Sequence, residues 1–176
     1  GLGAHLVVAA GEVDEAFDGL AVVQRAQGAR RQRAPQRVPA GELLAQLPAG
    51  GVQVLVRPRP GNFVHSREEV DRIASDIVML RAIGRGTAVR LGFVVGVLAD
   101  DGSINVDAAA RLRDIAEDAP LTFHRGFDQV LDQDRGLDVL MELGYDRVLT
   151  TGGHPAAAQP EALARLVERG GEDIII

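Results

Sequence analysis

Arginine and histidine carry most of the chemistry this sequence offers, and their spacing is informative. Arg57 and Arg59 stand two apart in Leu55-Val-Arg-Pro-Arg-Pro-Gly-Asn-Phe63. Alternate positions on an extended segment point the same way, so the two planar guanidiniums can converge on one carboxylate or phosphate. The interleaved prolines stiffen the backbone beneath them. The other reading is that both pair with carboxylates around a rim. His124 and Arg125 close the run Leu121-Thr-Phe-His-Arg, with Asp128 shortly after. A histidine at a strand end can be a general acid or base, or a metal ligand. His124 and Asp128 are therefore the expected catalytic pair, with the carboxylate fixing the imidazole tautomer. The competing reading is a structural histidine that ties neighbouring strands.

His65 and His154 also follow apolar runs, so three of the four histidines fall on one expected face. Three imidazoles can hold zinc or Cu(II) with an open position, which makes His65, His124 and His154 candidate metal ligands. Their spacing carries no ligand motif, and His154, just before Pro155, reads equally as a turn residue. Thr151-Gly152-Gly153 opens a loop ahead of a helix, where bare amides can cradle an oxyanion or merely turn the chain. With Arg57, Arg59 and Arg125 these three residues form the candidate substrate-binding set. Asp100-Asp101-Gly102 lacks the rest of a calcium loop and reads as a turn.

The elements that must position these groups repeat. Val52–Val56 is a compact apolar run halted by prolines. Ser66-Arg-Glu-Glu69 reads as a capping box, and Val70, Ile73, Ala74, Ile77 and Leu80 follow at helical spacing. Arg90–Leu98 is a second strand. Asp107 is the expected cap of a helix that buries Ala108, Leu112, Ile115 and Ala116. Leu121–His124 is a third strand, followed by a helix marked by Leu137, Leu140 and Met141. Arg147–Thr150 is a fourth, followed by a helix bearing Leu163, Leu166 and Val167, and Asp173–Ile176 begins a fifth. The expected strands, near 52–57, 91–98, 120–124 and 147–150, are parallel and in sequential order with helices outside, because crossovers of this length are right-handed. Strands this apolar are covered on both faces. Residues at their C-terminal ends then meet at one mouth.

Residues 1–50 break the rhythm. Leu6–Ala10 reads as a strand, Val13–Ala26 as a helix, residues 28–40 as an irregular basic loop, and Leu43, Leu44 and Leu47 as a short helix. Of the 176 residues, 46% are hydrophobic and 25% charged, the class of a single globular domain. Aromatics are 3% with no tryptophan, so the core must be aliphatic. A net charge of −6 argues against nucleic-acid binding. With no cysteine, disulfides and thiolate metal sites are excluded. No apolar run approaches the ~18–20 residues of a membrane span, and no leader is legible. The expected location is the cytoplasm.

Four segments in register over about residues 43–176 resemble the CutC family: Leu55–Phe63 as written above, Gly92-Phe-Val-Val-Gly-Val-Leu98 with Asp101-Gly102, Leu121-Thr-Phe-His-Arg-Gly-Phe-Asp128, and Arg147-Val-Leu-Thr-Thr-Gly-Gly153. The resemblance implies an α/β fold of the TIM (β/α)-barrel type, cytoplasmic and often homo-oligomeric, in a protein of copper homeostasis. A barrel of that type runs to about 250 residues, so the sequence reads as one partial barrel domain, incomplete at its C-terminus. The family's copper site is placed on Cys and Glu of its first two strands. This chain has no Cys, and residues 1–40 do not reproduce the family's second strand or its Gly-Leu-Thr-Pro loop, which is the pattern of a divergent segment or a shifted reading frame. Glu12, Glu15 and Glu42 do not map onto the family's copper-site positions. Copper handling is the expected function, with copper as the cofactor or cargo the resemblance implies. One alternative is a barrel enzyme acting on a small anion through an arginine clamp and His124. The other is a non-functional fragment.

Overall fold

The computed structural model describes residues 7–10, 21–22, 51–87 and 89–176. Its elements are β1 (Val7–Ala10), β2 (Ala21–Val22), β3 (Gly51–Val56), α1 (Arg67–Gly84), β4 (Arg90–Val95), α2 (Val106–Ala116), β5 (Leu121–Phe123), a 3-10 turn (Arg125–Gln129), α3 (Gln133–Glu142), β6 (Arg147–Val148) and α4 (Pro160–Gly170). The strands lie in one sheet in the order β2-β1-β3-β4-β5-β6. Among the described strands, β1, β3, β4, β5 and β6 pair in parallel and β2 runs antiparallel against β1. This is the parallel, sequentially ordered βα progression of a TIM-type fold. Ile175 pairs with Arg147 in parallel register, so the fifth expected strand begins where the sequence placed it.

Two expectations for the first fifty residues meet the structure. The strand at Leu6–Ala10 is β1. The helix expected over Val13–Ala26 is overturned at Ala21–Val22, whose backbone pairs with Ala9 and Val8. Ladder pairing with β1 overrides a weak helical period there. The rest of that helix, the basic loop at 28–40 and the helix at 43–47 lie outside the described residues.

Each βα unit is specified locally. Ser66 caps α1 by accepting from the Glu69 amide (3.3 Å), and the Glu69 carboxylate accepts from the Ser66 amide (2.8 Å), the reciprocal box that the sequence spelled out. Asn105, not Asp107, caps α2 by accepting from the Ala108 amide. Both residue types are good caps, but Asn105 is the one with extended backbone just before the helix, whereas Asp107 already lies in its first turn. Asp132 caps α3, and Pro160 occupies the first turn of α4.

The two faces of the sheet differ. Val52, Val54, Val56, Phe93, Val95, Leu121, Phe123 and Val148 are buried with Ile73, Ile77, Leu80, Leu112, Leu137 and Leu140 of the helices. Each such side chain contributes roughly 1.5–3 kcal/mol on burial. Val167, placed on the buried stripe of α4 by its spacing, is instead 54% exposed. Tyr145 is buried where α2 meets α3, its hydroxyl donating to the Ala109 carbonyl (3.1 Å). The opposite, inner face is polar at mid-height. Gln53 lies across Gly92, whose missing Cβ would stand 2.3 Å from the amide nitrogen. Thr122 reaches Gln53 at 3.5 Å. Arg147 pairs in register with Thr122 and keeps a buried Nη1 with no hydrogen-bond partner among the described residues.

Candidate functional site

The C-terminal ends of β3 and β5, with the loops that follow them, bring Arg57, Phe63, His65 and His124 together. The Arg57 guanidinium stacks over the Phe63 ring, 4.5 Å from its centroid, and the His124 ring meets the same phenyl group at 4.6 Å. Arg57 Nη2 donates to the Gly61 carbonyl (2.6 Å), while its Nε is buried with no partner among the described residues. Burial and then neighbouring Arg59 lower the Arg57 pKa. His65 is buried, and among the described residues both its ring nitrogens lack a hydrogen-bond partner. Its Nδ1 lies 3.5 Å from Glu69 Oε2, too long for a firm hydrogen bond.

His124 fits a slot made by two glycines. A Cβ on Gly96 would fall 2.4 Å from its Cε1, and one on Gly126 would fall 2.8 Å from the same atom. Its Nδ1 accepts from the Gly126 amide (3.0 Å), so the ring caps the 3-10 turn and carries its proton on Nε2. Burial above all, with the Arg57 charge adding to it, pulls its pKa down to about 4. Burial likewise lowers His65, against the pull of Glu69. Both imidazoles are neutral at pH 7, and both can donate one N–H.

Asp128 does not orient His124. Its carboxylate accepts from Thr150 Oγ1 (2.6 Å) and the amides of Thr151 (2.9 Å) and Gly153 (3.2 Å), and pairs with Arg125 Nε (2.8 Å). Burial opposes that charge, but the hydrogen bonds outweigh it and hold the carboxyl below its ordinary range. Two expectations are corrected together. The tautomer of His124 is set by a backbone amide, and the cradle at Thr151, Gly152 and Gly153 is already filled by an internal carboxylate, with the Gly152 amide held by Thr150 Oγ1. Arg125 is drawn into the same latch, donating also to Thr151 Oγ1 and to the His154 and Pro155 carbonyls.

Arg59 is likewise committed. Its Nε meets Glu69 Oε1 at 2.5 Å, and its Nη2 meets Asn62 Oδ1 and the Val64 carbonyl. The two arginines therefore part: Arg59 anchors the start of α1, and Arg57 stays at the mouth. Exposed His154 accepts from the Ala156 and Ala157 amides, as a turn residue does. Among the described residues no group of three His, Asp or Glu side chains could hold a metal ion.

His65 is the residue that sequence reading undervalued. It stood only as a weak metal candidate, and its signal was adjacency to the capping box that carries Glu69. A separate cleft of about 400 Å³ lies at the other end of the strands, lined by Arg81, Arg85, Arg90, Glu117 and Asp118. There Arg81 pairs with Glu117. In barrels that end serves stability, whereas chemistry gathers at the mouth.

The sequence profile described as the CutC family matches residues 39–176. A human protein named copper homeostasis protein cutC homolog is 36% identical over 126 residues, which cover 71% of this chain and 44% of the human protein. A family protein CutC of Caulobacter vibrioides is 35% identical over 141 residues, covering 78% of this chain and 56% of its own. The chain thus spans about half the length of these relatives. A crystal structure of CutC from Streptococcus agalactiae superposes with a TM-score of 0.64 at 29% identity, over 71% of this chain and 60% of that one.

Proposed function

This chain belongs to the CutC family, and we propose that it serves copper homeostasis in the cytoplasm, handling copper as cargo. The observation that carries this reading is the family match over residues 39–176, together with relatives named for that role. Among the described residues no helix is long and apolar enough to cross a membrane.

The residues present do not fit a resident Cu(I) ion. Cu(I) favours soft sulfur, yet the chain has no Cys and two Met. Those two, Met79 and Met141, lie on the outer helices α1 and α3. At the mouth the imidazoles of His65 and His124 share their surroundings with the Arg57 cation, which repels a metal ion. Any copper contact there uses imidazole and carboxylate, and is weak. The test of the cellular role is copper tolerance in cells that lack their own family member. Expression of this chain is expected to restore growth in copper-supplemented medium, and tolerance equal to that of the empty vector would sink the reading.

The buried donors of Arg57 and His65, unpartnered among the described residues, favour a second reading, in which the mouth takes a small anionic substrate. Arg57 holds the anion. His124, neutral and protonated on Nε2, polarises it as a hydrogen-bond donor, in place of the acid/base role that its position alone suggests. Asp128 stays outside this chemistry and fixes the neighbouring loop.

A further inference from the structure

We infer that the mouth beside Arg57, His65 and His124 binds a small monocarboxylate in preference to a phosphate dianion, an inference that rests on the small-anion reading above. The argument is a charge count. Of the two arginines at the end of β3, Arg59 is neutralised by Glu69 through both Nε and Nη2. Among the described residues that leaves Arg57 as the one cation of this cluster without a carboxylate partner, its Nη2 on a carbonyl and its Nε on nothing. The other donors at hand are the imidazoles of His65 and His124, both uncharged at neutral pH. The amide nest that could have favoured phosphate, at Thr151–Gly153, is filled by Asp128.

One net positive charge and two neutral N–H groups match a ligand of one negative charge. A second negative charge would be desolvated without compensation, and Glu69, 3.5 Å from His65, would repel it. The walls agree with a small ligand that has one apolar side. The Phe63 ring lies under Arg57 and beside His124, and Gly96 and Gly126 leave no side chain of their own against the imidazole.

The test is a titration of the full chain, labelled with nitrogen-15 in histidine, at pH 8, with acetate and inorganic phosphate as separate probes. Acetate is expected to move the His124 Nε2 resonance saturably, and to bind about tenfold tighter than phosphate, the scale of one charge-assisted hydrogen bond. Arg57→Gln is expected to weaken acetate by about tenfold, and Arg59→Gln by less than about threefold. If Arg57→Gln does not fold, Arg57→Lys keeps the charge without the planar fork and is expected to weaken acetate several-fold. Unchanged acetate binding in the folded Arg57 variant overturns the role given to that residue. Phosphate binding as tight as acetate, or tighter, overturns the carboxylate preference and leaves the small-anion reading standing. If neither anion moves His124, both fall.

Discussion

Replacing His124 with Asn is expected to flatten the acid side of this protein's stability profile. The unfolded imidazole titrates near 6.5, and the native ring is held to about 4. Between those values the unfolded chain binds a proton that the native state refuses, so stability falls as pH drops from 6.5 towards 4 and levels off below. The full difference of some 2.5 units corresponds to about 3 kcal/mol. The span from pH 6.5 to 5 carries about 2 kcal/mol of it, and few ordinary carboxylates titrate in that span. Asn is the informative substitute because its side-chain oxygen can accept from the Gly126 amide as Nδ1 does, while nothing on it titrates. Its smaller volume lowers stability at every pH, so the slope is the readout. His65 is lowered in the same direction and leaves a residual slope, which a second substitution there removes. Urea unfolding followed by circular dichroism at pH 8, 7, 6 and 5 measures this directly. A wild-type midpoint no more sensitive to pH than that of His124→Asn would refute a buried, neutral His124.

Gly96→Ala places a Cβ within 2.4 Å of His124 Cε1. It is expected to cost about 1–3 kcal/mol by overpacking, read as a lower urea midpoint with unchanged m. Asp128→Ala strips the acceptor from Thr150, Thr151 and Gly153. It is expected to cost about 2–3 kcal/mol, the range of bonds to a charged group, and to speed amide hydrogen exchange at 150–153; protection equal to wild type would contradict the latch. The depressed Asp128 carboxyl also contributes stability that is present above its unfolded value near 4 and is lost as pH falls through its lower native value. Equilibrium dialysis with Cu(I) under reducing conditions is expected to show no stoichiometric retention against a strong chelator, and retention would restore His65 and His124 as ligands.

The repeating units were legible because their signals are local. Ser66 and Glu69 spell a capping box within four residues, and Val70 to Leu80 carry one period. Strand ends were less so. Leu98 reads as a continuation of β4, yet it bridges Val64 and Ile104, where the 99–103 turn folds the chain back. At the mouth, placement at strand ends was readable, but partnership was not. Nothing in the spacing of Arg57 and Arg59 says that Glu69, ten residues on, takes only the second. Nor does the proximity of Asp128 to His124 in sequence show that its carboxylate turns towards residues 150–153. Such choices are settled by which donors tertiary packing brings within 3 Å, and sequence separation carries no record of that.

The lone tyrosine has a practical consequence. With one Tyr and no Trp, the chain's near-ultraviolet spectrum is dominated by a single ring, that of Tyr145. That ring is 1% exposed and touches Phe123 at a centroid distance of 6.1 Å. Burial pushes its hydroxyl above the ordinary phenol range, so phenolate absorbance on raising the pH marks the moment at which the α2–α3 junction opens to solvent. One intrinsic chromophore thus reports the integrity of the layer beneath the mouth, with no label added and no competing signal to subtract.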